Sequence, residues 1–352
     1  MVINSESILK SYQKKPVEHF PHKVKGKPLV SVCVVTYQHA KFIRKCLDRI
    51  LKQETNFNFE ILLGEDNSTD GTREICIEYA EKYPEKIRLF LHQRENNISI
   101  GGHPTGRFNF VYNLFAAHGK YLALCEGDDY WSDPKKLQKQ VDFLEANEDC
   151  VLCHHWQKLG IVKNGRFQEV EAPKEEHGYY PLKKADISKV FSNQLRVKTR
   201  TVLFRSVINP GDLLTVFPNA AFGDVPLSFL LGKKGKFGFM DEEMAVYRVT
   251  ESGVSTVGLK ELGVREFATK HSKDWIYVWD CANKLCNYQY ANLAHNTIKN
   301  FFRRMPMSPK ELLDVLQFNF KRKKAKLSNK LNIAVWLIYY NTTKFLLRQL
   351  KK

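Results

Sequence analysis

From residue 30 onward the chain alternates unbroken apolar runs with amphipathic stretches. Val-Ser-Val-Cys-Val-Val-Thr-Tyr at 30–37 is rich in β-branched residues, which predicts a strand buried on both faces. Phe42, Ile43, Cys46, Leu47, Ile50 and Leu51 then recur at helical spacing. Residues 59–63 read as a second strand that runs into a dense turn signal at 64–72. A helical face follows (Ile75, Tyr79, Ala80, Tyr83), then a strand at 87–91. Next come a helical face through Phe108, Val111, Tyr112, Phe115 and Ala116, closed by Gly119, and a strand at 121–125. Strands that alternate with helices predict a mostly parallel sheet covered on both faces. After Asp133 and Pro134, which suit a helix N-cap and first position, Leu137, Val141 and Leu144 continue the pattern.

Beyond residue 150 the pattern becomes mixed. Residues 150–156, 197–204 and 244–249 read as strands, and a short helix begins around Asp224 and stops at Gly232. From about residue 260 the chain reads as helices: 267–285, 288–302, 309–320 and 330–350. Leu331, Val335, Ile338, Phe345 and Leu346 give the last one an apolar side among lysines.

Composition refines this picture. With 352 residues and 43% hydrophobic content, the chain can build a sizeable core and is not globally disordered. No run approaches the ~20 apolar residues of a membrane-spanning helix. The N-terminus is polar and lacks the apolar core of a secretory signal. Eight scattered cysteines suit reduced, buried thiols in a cytosolic protein. The net charge of +17 is concentrated at the end, where 14 Lys/Arg from Lys299 onward face only Glu311 and Asp314, 14 − 2 = +12. Charge alone would suggest a nucleic-acid binder, but the ordered acidic clusters argue against one.

Those clusters are the candidate chemistry. Glu65 and Asp66 follow one predicted strand, and Glu126, Asp128 and Asp129 follow another. In a parallel sheet both tips lie on the same edge, where ligands of open α/β sheets bind. Clustered carboxylates repel unless a cation compensates, and Mg²⁺ or Mn²⁺ shared with substrate phosphates is the natural one. Neither Gly-x-Gly-x-x-Gly nor Gly-x-x-x-x-Gly-Lys is present, so any nucleotide is held another way.

The stretches at 30–37, 64–72 and 126–131 (Glu-Gly-Asp-Asp-Tyr-Trp), in this order and spacing, resemble the family 2 glycosyltransferases of the GT-A fold. Bacterial enzymes that build capsule, O-antigen or exopolysaccharide are the nearest in kind. The resemblance covers roughly residues 28–256. It implies an α/β, Rossmann-like GT-A domain with a mostly parallel central sheet, after a lead-in at 1–27 and before a basic helical extension at 257–352. It also implies inverting transfer of a sugar from a nucleotide diphosphate, with UDP expected, to a hydroxyl of a growing, lipid-linked acceptor.

Carried onto this sequence, Thr36 and Tyr37 flank the nucleotide base and Asp66 contacts it. Glu126-Gly127-Asp128 stands where the family has Asp-x-Asp. Asp128 would be the main ligand of Mn²⁺ or Mg²⁺, Glu126 would lie near the ribose or metal, and Asp129 would assist. Asp224, before a run of apolar residues, would be the general base. Thr250 occupies the place of a metal-ligating His in the family, so that ligation is lost or passes to Glu251 or water. Arg248 would face the phosphates or the surface. Trp131, His154, His155, Arg196 and Arg248 are candidates for the acceptor subsite, the two histidines being equally readable as structural. The competing readings are a nucleotidyltransferase and a GT-A relative that binds nucleotide without turnover. The expected location is cytoplasmic, with peripheral contact between the basic helices and the anionic inner face of the membrane.

Overall fold

The computed structural model describes residues 5–173, 183–250, 253–305 and 308–349. The β-branched run becomes a strand in which only Val35 is less than fully buried. Thirteen strands form among the described residues: β1 Glu18–His19, β2 Val30–Thr36, β3 Phe59–Glu65, β4 Ile87–Leu91, β5 Ile98–Ile100, β6 His103–Thr105, β7 Tyr121–Glu126, β8 Tyr130–Trp131, β9 Cys150–Lys163, β10 Arg166–Glu171, β11 Lys184–Ala185, β12 Leu203–Arg205 and β13 Lys236–Arg248. β5 and β6 pair with each other, and the others form one sheet.

Four parallel strands, in the order β4-β3-β2-β7, make its centre. The chain steps outward from β2 to β4 through the helices Ile43–Leu51 and Thr72–Lys82. It then returns through Arg107–Ala116 to place β7 on the other side of β2. The strand order therefore reverses between β2 and β7, which makes a crevice at their C-terminal ends. In register, Thr36 pairs with Glu65, and Val35 pairs with Glu126. Both predicted acidic clusters thus reach one edge. Apolar side chains of β2, β3, β4 and β7 form the core with the helices Ile43–Leu51, Thr72–Lys82 and Lys136–Glu145. Each fully buried Val, Ile or Leu contributes roughly 1.5–3 kcal/mol. The helix Arg107–Ala116 approaches so closely that a Cβ on Gly64 would stand 1.8 Å from Asn109 Oδ1. In return, Asn109 donates to the Gly64 carbonyl at 2.8 Å.

Several expectations change. Residues 197–204 are not a continuous strand but a 3₁₀ turn, Thr199–Thr201, before the short β12. Side chains take the carbonyls that a strand would pair: Trp131 Nε1 donates to Arg200 O and Gln140 Nε2 to Thr201 O. The helix after the acidic turn starts at Lys136, not at Asp133 and Pro134. There Gln53 takes the Asp133 carbonyl and the Glu54 amide takes that of Pro134. The polar lead-in is structured, with a helix Ser5–Tyr12 and β1 added to the edge of the sheet beside β4. β9 and β13 are roughly twice the predicted length and pair in parallel.

Contacts divide the chain into residues 1–250 and 251–352. The second unit holds the helices Val254–Leu285, Ala291–Arg303, Pro309–Lys321 and Leu327–Gln349, the first broken at Gly263 by a φ of 71°. Trp275, Trp279 and Phe301 pack ring to ring at 5.2–5.6 Å, and Arg322 grips Asp280 with two bonds of 2.6 and 2.7 Å. No described helix is long and apolar enough to cross a membrane.

Candidate functional site

The crevice begins with two loops latched together. After β2, the amides of Gln38, His39 and Ala40 donate to Ser68 Oγ, Thr72 Oγ1 and Asp70 Oδ2, in the loop after β3 and the first residue of the helix that follows it. Gln38 takes φ 56° and Asn67 φ 59°, so backbone strain is stored at the rim of the crevice. Glu65 is fully buried and serves this loop, accepting from the Asn67 and Ser68 amides and from Arg73.

Asp66 faces inward. Its Oδ2 accepts from Arg94 at 2.6 Å and Asn97 at 2.9 Å, while the buried Oδ1 accepts from no protein donor. Burial raises its carboxyl, against Asn97 and Arg94. The guanidinium of Arg94 lies 3.9 Å from the centre of the Tyr37 ring, and that ring is exposed. An unpartnered acceptor, linked through Arg94 to an exposed aromatic face, suits a flat heterocycle that carries an N–H. Neither Arg94 nor Asn97 was singled out from sequence. Thr36 is buried and bonds His39 Nδ1 at 3.2 Å.

The acidic turn 126–129 is held from four sides. Gly127 donates to the Val35 carbonyl, and a Cβ there would meet Thr36 Oγ1 at 2.5 Å and His39 Nδ1 at 2.9 Å. Arg248 donates to the Asp128 carbonyl at 2.7 Å while lying over the Tyr130 ring. Asp129 accepts from Arg200 Nε and from the Arg248 amide. Arg200 also bonds Gln157 and lies 4.3 Å from the centre of the Tyr247 ring. Asp128 remains partly open, its Oδ2 3.8 Å from His39 Nε2. Glu126 Oε2 is buried without a hydrogen-bond partner, 4.0 Å from Arg200. Burial raises the Glu126 carboxyl, Arg200 and Thr199 oppose this, and Asp128 and Asp224 add to it.

Asp224 opens the helix Asp224–Gly232, whose N-cap is Gly223. It lines a small cavity with Leu124, Thr199, Leu227 and Ser228. Burial raises its carboxyl, while the Val225 amide, Lys198 and Arg200 pull it down. The crevice thus gathers carboxyls whose charged forms burial disfavours, and an incoming cation would relieve them.

Tests of the remaining expectations give a different placement. Asp129 is 1% exposed and each of its oxygens accepts from a protein donor, so in this arrangement it anchors the turn. Trp131 is core, with Lys136 Nζ 4.1 Å from its ring centre, and cannot meet an acceptor. His154 and His155 are buried in β9, the first against Phe239 and the second bonded to Trp156 O. Arg196 bonds Asn193. Arg248 spends its guanidinium on the Asp128 carbonyl rather than on open space. Glu251 lies outside the described residues.

A divalent ion on a diphosphate takes only one or two protein carboxylates. Asp128, partly open, and Glu126, with its unpartnered Oε2, supply that donor set. Among the described residues no group of three or more His, Cys, Asp or Glu could hold a metal unaided.

The model of the family described as glycosyl transferase family 2 matches residues 31–208. An uncharacterized protein of Mycobacterium tuberculosis is 32% identical over 231 residues, 64% of this chain and 60% of that relative. The chain therefore spans about 60% of the length of that relative. An uncharacterized glycosyltransferase of Methanocaldococcus jannaschii is 32% identical over 160 residues, 45% of this chain and 51% of that protein. The crystal structure of S. aureus TarS 1–349 in complex with UDP-GlcNAc is similar with a TM-score of 0.50 at 16% identity, covering 91% of each chain. At that identity the likeness concerns the fold.

Proposed function

The chain belongs to glycosyl transferase family 2, and on that premise we propose that it transfers one sugar, with inversion, from a nucleoside diphosphate donor to an acceptor hydroxyl. The observation that carries the reading is what the β2/β7 crevice gathers: Asp66, with a buried and unpartnered Oδ1, held by the Arg94 that lies over Tyr37; the turn bearing Glu126 and Asp128; and Asp224, close enough to raise the Glu126 carboxyl. Ionised Asp66 accepts the ring N–H of the base, which favours a uracil donor, and Tyr37 covers the ring face. Asp128 and Glu126 would hold Mn²⁺ or Mg²⁺, which would supply positive charge for the donor diphosphate. Asp224 accepts the proton of the attacking hydroxyl. Its raised carboxyl makes it a stronger base than a free aspartate, and one carboxylate suffices for a single displacement. The acceptor is a growing, lipid-linked saccharide.

The test is release of nucleoside diphosphate from UDP-, GDP- and dTDP-sugars with Mn²⁺, alongside nucleotide binding by calorimetry. Asp224→Asn should bind donor as the parent does and lose about 10²–10⁴-fold in kcat. Asp128→Asn should lose metal-dependent binding. Undiminished turnover in Asp224→Asn removes the base assignment. Binding without release by the parent protein makes it a nucleotide-sugar binder, and no nucleotide binding sinks the reading.

A further inference from the structure

The helix Leu327–Gln349 buries one side and exposes another that is apolar. Ile333, Ala334 and Leu337 are buried, whereas Leu327, Leu331, Val335, Ile338 and Tyr339 are 50–70% exposed. Leu327, Leu331, Val335 and Tyr339 recur every fourth residue with Ile338 beside the last, so they form one stripe. The polar Ser328 and Asn332 border it, and no charged side chain interrupts it. Single exposed apolar residues are ordinary, but a charge-free stripe of five marks a surface made to be covered.

The charge beside the stripe says what covers it. From residue 315 to 352 the sequence has ten Lys/Arg and no Asp or Glu. Lys321, Lys323 and Lys326, just ahead of the stripe, are exposed. A second copy docked on this face would bring two such cationic segments together without a compensating acid. A nucleic acid would answer the lysines but leave the stripe in water. A membrane-spanning role is out of reach for this helix. An anionic lipid surface answers both features, with the apolar stripe entering the headgroup boundary and the lysines meeting the lipid charge.

We propose that the exposed stripe of the helix Leu327–Gln349, with the lysines at its N-terminal end, seats the protein on an anionic lipid surface. This names the place where a lipid-linked acceptor would be met, but it stands independently of the sugar-transfer reading, because lipid binding needs none of the crevice residues.

The experiment uses the full chain and sedimenting vesicles of phosphatidylcholine alone or with roughly 30% phosphatidylglycerol. The protein should pellet with the anionic vesicles at low salt, stay in solution with the neutral ones, and be released by about 0.5 M NaCl. Leu331→Glu/Val335→Glu alters only exposed positions and should keep the parent's circular dichroism and donor binding. Its affinity for the anionic vesicles should fall about ten-fold or more. Lys321→Glu/Lys323→Glu should weaken binding and flatten the salt dependence. Equal binding to both vesicle types, or unchanged binding by both variants, overturns the proposal. So does a parent that sediments as a dimer and becomes monomeric in Leu331→Glu/Val335→Glu, since the stripe is then a self-association surface. Loss of donor release with vesicle binding intact would refute the transferase reading alone.

Discussion

The Arg200–Asp129 pair offers a quantitative test of how the acidic turn is held. Asp129 is almost wholly buried, and its two oxygens accept from Arg200 Nε and the Arg248 amide. Arg200→Met keeps an unbranched apolar stem and, because the Trp131 contact uses backbone, keeps that bond as well; the guanidinium over Tyr247 and its bond to Gln157 are lost. It removes the charge opposite a carboxylate that cannot reach water. Breaking a buried pair from one side costs about 3–5 kcal/mol. At about 2–4 °C per kcal/mol for a unit of this size, Tm should fall by roughly 6–20 °C. Asp129→Asn/Arg200→Met removes both charges of the pair and should recover about 2 kcal/mol of that loss, because Asp129 is no longer stranded; what stays lost includes the Arg200 charge facing Glu126. Urea melts of the parent, both single variants and the double variant measure the cycle. An Arg200→Met loss below about 1 kcal/mol, or single losses that simply add, would refute the claim that the turn hangs on this pair.

Two further outcomes follow from the crevice. Gly127→Ala would force a methyl to 2.5 Å from Thr36 Oγ1, so it should destabilise by about 1–3 kcal/mol and weaken nucleotide binding as the turn shifts; parent-like melting and binding would show that the turn has slack. Asp224 must be ionised to act as a base and burial raises its carboxyl, so kcat should fall on acidification through a midpoint above the ordinary aspartate value of 3.8, and a kcat–pH profile with its midpoint at or below that value would contradict the assignment.

The parallel half of the sheet is legible because its strands are buried on both faces and read as short, mostly apolar runs, with turn residues between them. The same logic put Asp66 and Glu126 on one edge, and the register bears this out. Other placements have physical reasons. Trp131 reads as an acceptor candidate by residue type, and His154 and His155 read either way, the structural role being favoured; the pairings of β8 and β9 with β13 bury all three. Asp129 is chemically indistinguishable from Asp128 in sequence. Only its partners, Arg200 from 71 residues away and the Arg248 amide from 119, separate anchor from free carboxylate. The β9–β10 hairpin did leave a signal, since Asn164 and Gly165 both take positive φ as a two-residue turn demands. The strand after the turn is polar and mostly exposed, so no apolar alternation marks the hairpin in the sequence. Arg94 and Asn97 follow no motif and matter only through the fold.

The loop after β2 ties the two ends of the crevice into one device. Tyr37 stacks on Arg94, which holds Asp66, and two residues later His39 faces Asp128. Between them Gln38 occupies a left-handed backbone position, which sends its neighbours toward different ends. The loop cannot rotate freely, because three of its amides are bonded to the loop after β3 and the first residue of the helix that follows it. Nor can His39 swing away without releasing Thr36, whose hydroxyl sits against Gly127. Contact at Tyr37 and contact at Asp128 therefore share one small, strained segment of backbone. The imidazole that the stretch 247–250 lacks is present beside Asp128, but it arrives from the loop that carries Tyr37, so the base end and the acidic turn cannot be repositioned separately.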